Sequence, residues 1–277
     1  MNDPQNNDAI GFVERHGLLM MPSFLPAFEA AARLLERNST ALRDSSRLVT
    51  VVGYPGTGKS SIIRALLKET GLNSTPKGVL SLTGEDVVTS MIEAIRQNQF
   101  SSYASHSVNA GVLVVDGLEA LFDKPVTSEQ FISIVRRRLT ENRPVLLSAE
   151  EVGYCGASPT PLEPETLGRL PEDEGRVSTR IHQWSRLLGL GHIVCSRFPH
   201  YAIRAELARR RFRAADFSAN EELVALIADR VITDMDVLNT VIDALLARSK
   251  ESAKEGPDRM MTENLLAEYG RILGWYI

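Results

Sequence analysis

The stretch Arg47-Leu-Val-Thr-Val-Val-Gly-Tyr-Pro-Gly-Thr-Gly-Lys-Ser-Ser-Ile-Ile-Arg64 constrains the fold more than any other part of the chain. An apolar, β-branched run meets Gly53-x-x-x-x-Gly58-Lys59-Ser60 and then a helical pattern. That is a P-loop set between a buried strand and a helix. Its glycines permit a tight turn in which successive N–H groups converge on phosphate oxygens, and the following helix adds its positive end. The residues expected to cradle a nucleotide are Gly53, Pro55, Gly56, Thr57, Gly58, Lys59, Ser60 and Ser61. Lys59 would reach the β- and γ-phosphates, and the Ser60 hydroxyl would ligate Mg²⁺.

Strands and helices alternate after this point. Residues Ser60 to Glu69 carry the helix, and Thr70-Gly71 stops it. Val79-Leu80-Ser81-Leu82 suits a second strand, and Thr83-Gly84-Glu85-Asp86 introduces a helix from Val87 to Gln97 whose Val87, Val88, Met91, Ile92 and Ile95 form one core-facing stripe. A polar, Ser-rich turn leads to Val112-Leu113-Val114-Val115-Asp116, four apolar residues closing on a carboxylate. Such a run belongs to a parallel strand buried on both faces. An Asp at the tip of a strand beside a P-loop can hold Mg²⁺ through water, so Asp116 joins Ser60 as a candidate metal residue. A helix over Thr127 to Glu141 carries Arg136-Arg137-Arg138, whose charges suit a solvated face. Val145 to Ser148 and His192 to Cys195 complete the strands.

Three other regions frame this core. Residues 1 to 9 are polar and expected to fray, and Phe24 to Arg37 has the spacing of an amphipathic helix. Residues 151 to 175, with four prolines and four glycines, break the rhythm as a long inserted loop. From Pro199 onward the pattern is helical: Tyr201 to Arg213, Asn220 to Arg230, Asp234 to Arg248 and Thr262 to Trp275. The expected architecture is a three-layer α/β P-loop NTPase with a parallel sheet over residues 10–198 and a small C-terminal α-helical lid over 199–277. A net charge of −4 gives no overall reason to coat nucleic acid. Cys155 and Cys195 fit no metal-ligand spacing, and no run approaches the length of a membrane span. The N-terminus lacks the basic and apolar segments of a signal peptide, so the expectation is a soluble cytoplasmic protein.

Taken as an ordered set, these segments resemble the AAA+ ATPase domain of the bacterial replication initiator DnaA and its shorter regulatory relatives such as Hda. Ser81 to Ile95 resembles that family's strand and initiator-specific helix. Asp116-Gly-Leu-Glu-Ala-Leu-Phe-Asp-Lys124 followed by Thr127-Ser-Glu-Gln-Phe-Ile resembles its Walker B segment and the helix after it. Phe24 to Ala31 resembles the helix before the P-loop, and Tyr201 to Leu207 the first lid helix. The resemblance implies ATP or ADP with Mg²⁺ and ATP-dependent assembly, in which an arginine finger from the next protomer senses the nucleotide. By position that finger is Arg180, with Arg176 as second choice. It also implies protein partners, through self-association or other replication proteins, a place near the nucleoid, and a possible contact with DNA.

Departures from the family pattern matter as much. The second acid of its Walker B is replaced by Gly117, which removes a carboxylate that orients the attacking water. Glu119 and Glu150 are the nearest substitutes, though neither sits where the family places that acid; Asp116, Glu119 and Arg180 are thus the candidate catalytic residues. Asp236 falls where the lid's sensor arginine belongs. Ala104, Ser105 and Val108 fall near the family's basic contacts to single-stranded DNA and carry no charge. The chain ends at Ile277 with no counterpart of the initiator's C-terminal helix-turn-helix module. The expectation is a DnaA-like protein acting by nucleotide-dependent assembly in replication initiation or its regulation, with weak hydrolysis. An alternative is an ATPase that loads a helicase or assists transposition on DNA, drawing on Arg136–Arg138 and on Arg209, Arg210, Arg211 and Arg213. A third is a scaffold with structural nucleotide, or a P-loop kinase.

Overall fold

The computed structural model describes residues 47–53, 56–69, 78–121, 124–150, 190–196, 199–217, 220–232, 235–251 and 257–273, with Ala30 and Leu34 ahead of them. Two compact units are present: one comprises Ser23–Gly53 and Lys59–Ser196, and the other groups Tyr54–Gly58 with Arg197–Ile277. The expected loop at 151–175, Arg176 and Arg180 lie outside the described residues.

In the first unit the chain runs β1 (Leu48–Gly53), α1 (Lys59–Glu69), β2 (Val79–Thr83), α2 (Gly84–Arg96), α3 (Phe100–Asn109), β3 (Val112–Asp116), a 3-10 turn (Leu118–Leu121), α4 (Pro125–Thr140), β4 (Val145–Glu150) and β5 (His192–Ser196). The strands pair in parallel in the order β2-β3-β4-β1-β5. Leu48, Val52, Leu113, Val115, Val145, Leu147 and Ile193 share a core with Val87, Val88 and Met91 of α2, Val108 of α3 and Phe131, Ile132 and Val135 of α4. Val49, Val51, Val114, Leu146 and Val194, of the opposite parity, are equally buried, so both faces of the sheet are covered.

Local signals set the helix ends. Thr83 accepts from the Asp86 N–H at 3.1 Å while the Asp86 carboxylate accepts from the Thr83 N–H at 3.0 Å, a capping box at the start of α2. The Thr83 hydrogen bonds hold the Asp86 carboxyl below its ordinary range. Left-handed residues follow α2 and α4, at Asn98 and Asn142, each with the back-bonded N–H pair of a Schellman motif.

Two expectations need correction. The Ser-rich stretch expected as a turn is helix α3, because Phe100, Tyr103, Ala104, Ser107 and Val108 recur at helical spacing and the apolar ones among them pack on the core. In α2, Ile95 is exposed and Ala94 takes the inner place.

Arg138 departs from the expected solvated face as well: its side chain is fully buried, whereas Arg136 and Arg137 are exposed. Its guanidinium donates to the carbonyls of Ser107, Val108 and Ala110 at 2.6–3.0 Å, to Gly111 at 3.4 Å and to Pro144 at 2.9 Å. It thereby satisfies the open C-terminal carbonyls of α3 and ties them to the start of β4. Burial lowers its pKa to about 10.

The second unit holds α5 (Tyr201–Ala214), α6 (Glu221–Arg230), α7 (Met235–Glu251) and α8 (Arg259–Leu273). They close on a core of Phe212, Val224, Ile227, Leu238, Ile242, Leu245 and Leu265. Arg204 staples two of them from within, donating to the carbonyls of Ala228 at 2.8 Å and Pro199 at 2.6 Å.

Replacing Arg138 leaves several carbonyls buried without a donor. Arg138→Met is expected to cost about 3 kcal/mol in urea unfolding, against a change within about 0.5 kcal/mol for Arg136→Met; equal midpoints for the two variants would contradict this role.

Candidate functional site

The strand order places the P-loop where it can meet Asp116. From β1 the chain crosses to the far edge at β2 and returns through β3 to β4, which lies against β1. Register then aligns Gly53 with Glu150 and with Ser196, and Thr83 with Asp116. The C-terminal ends of all five strands therefore share one edge, and β4 separates the P-loop strand from the Asp116 strand. Ligands of parallel α/β sheets bind at such a switch point.

Gly56 and Gly58 adopt φ of +68° and +83°, which the loop's tight turn requires. Lys59, buried at the start of α1, donates from Nζ to the Gly53 carbonyl at 2.8 Å, so its ammonium lies back across the mouth of the loop. Ser60 Oγ donates to Asp116 Oδ1 at 3.1 Å. Ser61 follows in the first turn of α1, and Thr57 is buried in the loop. Pro55 lies outside the described residues.

Ser148, at the middle strand, is the residue that the sequence reading passed over. Its hydroxyl donates to the same Asp116 Oδ1 and accepts from the Gly117 N–H at 3.0 Å. The signal was available: a single hydroxyl stands in the otherwise apolar run Val145 to Ala149, one step beyond the Val115–Leu147 pair and thus beside Asp116.

Gly117 turns the chain at φ +88°. Its carbonyl lies so close to Gly84 that a Cβ on Gly84 would sit 1.9 Å from the oxygen. A Cβ on Gly117 itself would meet Glu119 Oε1 at 2.9 Å. The half-buried Glu119 carboxylate thus folds back over Gly117, and its Oε2 accepts from the Glu150 N–H at 3.0 Å. Burial raises the Glu119 pKa, with the nearby Lys59 charge acting weakly in the opposite direction. Of the two substitutes that the sequence offers, Glu119 is tied to the end of β4 by the backbone of the other.

Other expected positions sit elsewhere. Val108 is buried in the α/β core and Ala104 packs on it. Asp236 is exposed in the first turn of α7, where a carboxylate suits the helix dipole. The basic run on α5 is occupied by carboxylates: Arg209 pairs with Glu221 at 2.8 Å and Glu206 at 3.5 Å, Arg210 with Glu206 at 3.2 Å, and Arg211 with Asp243. The support that the helicase-loader alternative drew from these arginines, and from Arg138, is accordingly weakened, and the alternative is not favoured.

A parallel five-stranded sheet of this order, with a P-loop after β1 and an acid at the tip of β3, defines a P-loop NTPase of the AAA+ class. Residues 27–154 match the family model described as the bacterial DnaA ATPase domain. That stretch is thus similar to the DnaA ATPase domain. Among curated proteins, the chromosomal replication initiator protein DnaA of Rickettsia bellii is 21% identical over 226 residues, covering 82% of this chain and 44% of the relative. The chain thus spans less than half the length of the curated relatives it matches. Among solved structures, domain III of the Thermotoga maritima DnaA superposes with a TM-score of 0.66 at 15% identity, covering 91% of this chain and 94% of that one. A replication initiator DnaA bound to AMPPCP and single-stranded DNA gives 0.61 at 14% identity, covering 85% of this chain and 67% of that one.

The close approach of Gly84 to the Gly117 carbonyl yields a test of the site's framework. Gly84→Ala must push backbone against backbone and is expected to cost about 2 to 3 kcal/mol in urea unfolding; a substitution tolerated within about 0.5 kcal/mol would show that this turn does not hold Gly117 in place.

Proposed function

We propose that the chain binds ATP or ADP with Mg²⁺ at Gly53–Ser61 and that the bound state controls its assembly with other proteins, in DNA replication initiation or its regulation. The observation that carries this reading is the convergence of Ser60 and Ser148 on one oxygen of Asp116, next to Lys59. Hard oxygen donors of this kind fit Mg²⁺, with Ser60 as the direct ligand and Asp116 acting through water. When bound, Mg²⁺ would neutralise charge on the phosphate oxygens. The loop amides and Lys59 would hold the phosphate tail, while Asp116 and Ser148 keep the Ser60 hydroxyl in position.

The remaining assignments rest on resemblance. Residues 10–198 form the nucleotide-binding domain, with 151–175 inserted, and residues 199–277 form its lid. Arg180 acts as the arginine finger of the assembly. A replication setting comes from the names of the relatives, and implies a cytoplasmic location near the nucleoid. Contacts with other proteins outweigh contacts with DNA, because Ala104, Ser105 and Val108 carry no charge and Arg209 to Arg211 are ion-paired. Hydrolysis is weak, since residue 117 carries no acid.

Titration with a fluorescent ATP analogue in Mg²⁺ is expected to show saturable binding, weakened by at least about ten-fold, roughly 1.4 kcal/mol, in Lys59→Ala. Size-exclusion chromatography should give a larger species in ATP than in ADP. Indifference to millimolar ATP would overturn the nucleotide reading, and identical elution in both nucleotides would overturn the assembly reading.

A further inference from the structure

We infer that Glu119 is the carboxylate that orients the attacking water, acting from the space that a side chain on residue 117 would otherwise fill. The inference rests on the nucleotide reading above and adds the residue that carries its slow hydrolysis.

Three features of the chain support it. First, residue 117 is not built to carry an acid of its own: its backbone turns at φ +88°, a conformation that residues with a Cβ rarely adopt, and its N–H is held by Ser148. Second, the vacated space is filled by a carboxylate from two residues on. Oε1 of Glu119 lies 2.9 Å from where the residue-117 Cβ would be, so the carboxylate stands over the residue that follows the tip of β3. The 3-10 turn Leu118–Leu121 makes this possible, because it buries Leu118 and Leu121 and leaves Glu119 between them on the outer side.

Third, the carboxylate is positioned rather than loose. Oε2 is anchored by the Glu150 N–H at 3.0 Å, the N–H of Glu119 itself also bonds back to the carboxylate, and the Lys59 charge acts on it weakly. A partly dehydrated carboxylate held in place is suited to accept a proton from water. In the reaction the water oxygen forms the new bond to the γ-phosphorus and its proton passes to Glu119. The bond from that phosphorus to the β–γ bridging oxygen breaks, and the electron pair leaves on ADP.

The test uses the full chain with Mg²⁺ and ATP, comparing wild type, Glu119→Gln, Glu119→Asp and Lys59→Ala. Glu119→Gln is expected to keep ATP affinity within about two-fold while turnover falls by at least about ten-fold. The nucleotide retained on the purified protein should shift from ADP towards ATP. Glu119→Asp, which keeps the charge on a shorter arm, should recover part of the turnover. The acid limb of wild-type turnover should lie above the ordinary carboxylate range, following the raised Glu119 pKa, and should vanish in Glu119→Gln. Unchanged turnover in Glu119→Gln, or wild-type turnover no greater than that of Lys59→Ala, would overturn the inference while leaving nucleotide binding intact. Absence of ATP binding in the wild type would instead remove the reading on which it stands.

Discussion

One carboxylate oxygen holds the site together. Asp116 Oδ1 accepts from Ser60 on α1 and from Ser148 on β4, so three elements that are distant in sequence are pinned at a single atom. A charged acceptor makes each of these bonds stronger than a neutral pair would be. Parallel strand order is what allows it: β4 stands between the P-loop strand and the Asp116 strand, and its residue at that level must be small and able both to give and to accept. Serine satisfies both demands, giving its proton to Asp116 and taking one from Gly117. Alanine there would fit the space and supply neither bond.

The replaced second acid follows from the same constraint. The Gly117 backbone turns at φ +88° with its N–H held by Ser148, a conformation that disfavours any side chain at this position. The chain answers with a short 3-10 turn that sends the next available acid back over the gap. Gly84 makes room for the Gly117 carbonyl, and Gly117 leaves the space that the Glu119 carboxylate enters.

What could be read from the sequence divides along physical lines. The P-loop, the buried strands and the capping box at Thr83 were legible because each depends on neighbours within a few residues: a glycine spacing, an unbroken β-branched run, a hydroxyl three residues from an acid. Helix α3 was missed because serine and asparagine dominate its composition, although its apolar positions keep the helical period. Arg138 was misjudged because nothing in Arg136-Arg137-Arg138 distinguishes the inward residue; its partners lie on α3 and before β4, some 30 positions away for the first of them. Gly84 was invisible for the same reason, and the lone hydroxyl of Ser148 gains its meaning only when strands β3 and β4 are brought side by side.

Charge in the helical unit was legible in amount but not in use. A run of four arginines on one helix suggests an anion-binding face when read in one dimension. In the folded unit Glu206, Glu221 and Asp243 stand opposite Arg209, Arg210 and Arg211, and the pairs link α5 to α6 and to α7. Pairs this exposed contribute little to stability, yet each neutralises a charge that would otherwise attract phosphate. A polyanion would have to displace those carboxylates to be held by the same arginines, so its gain per contact is smaller than a bare patch would offer. Electrostatics thus leaves Arg209, Arg210 and Arg211 engaged with carboxylates of the helical unit itself.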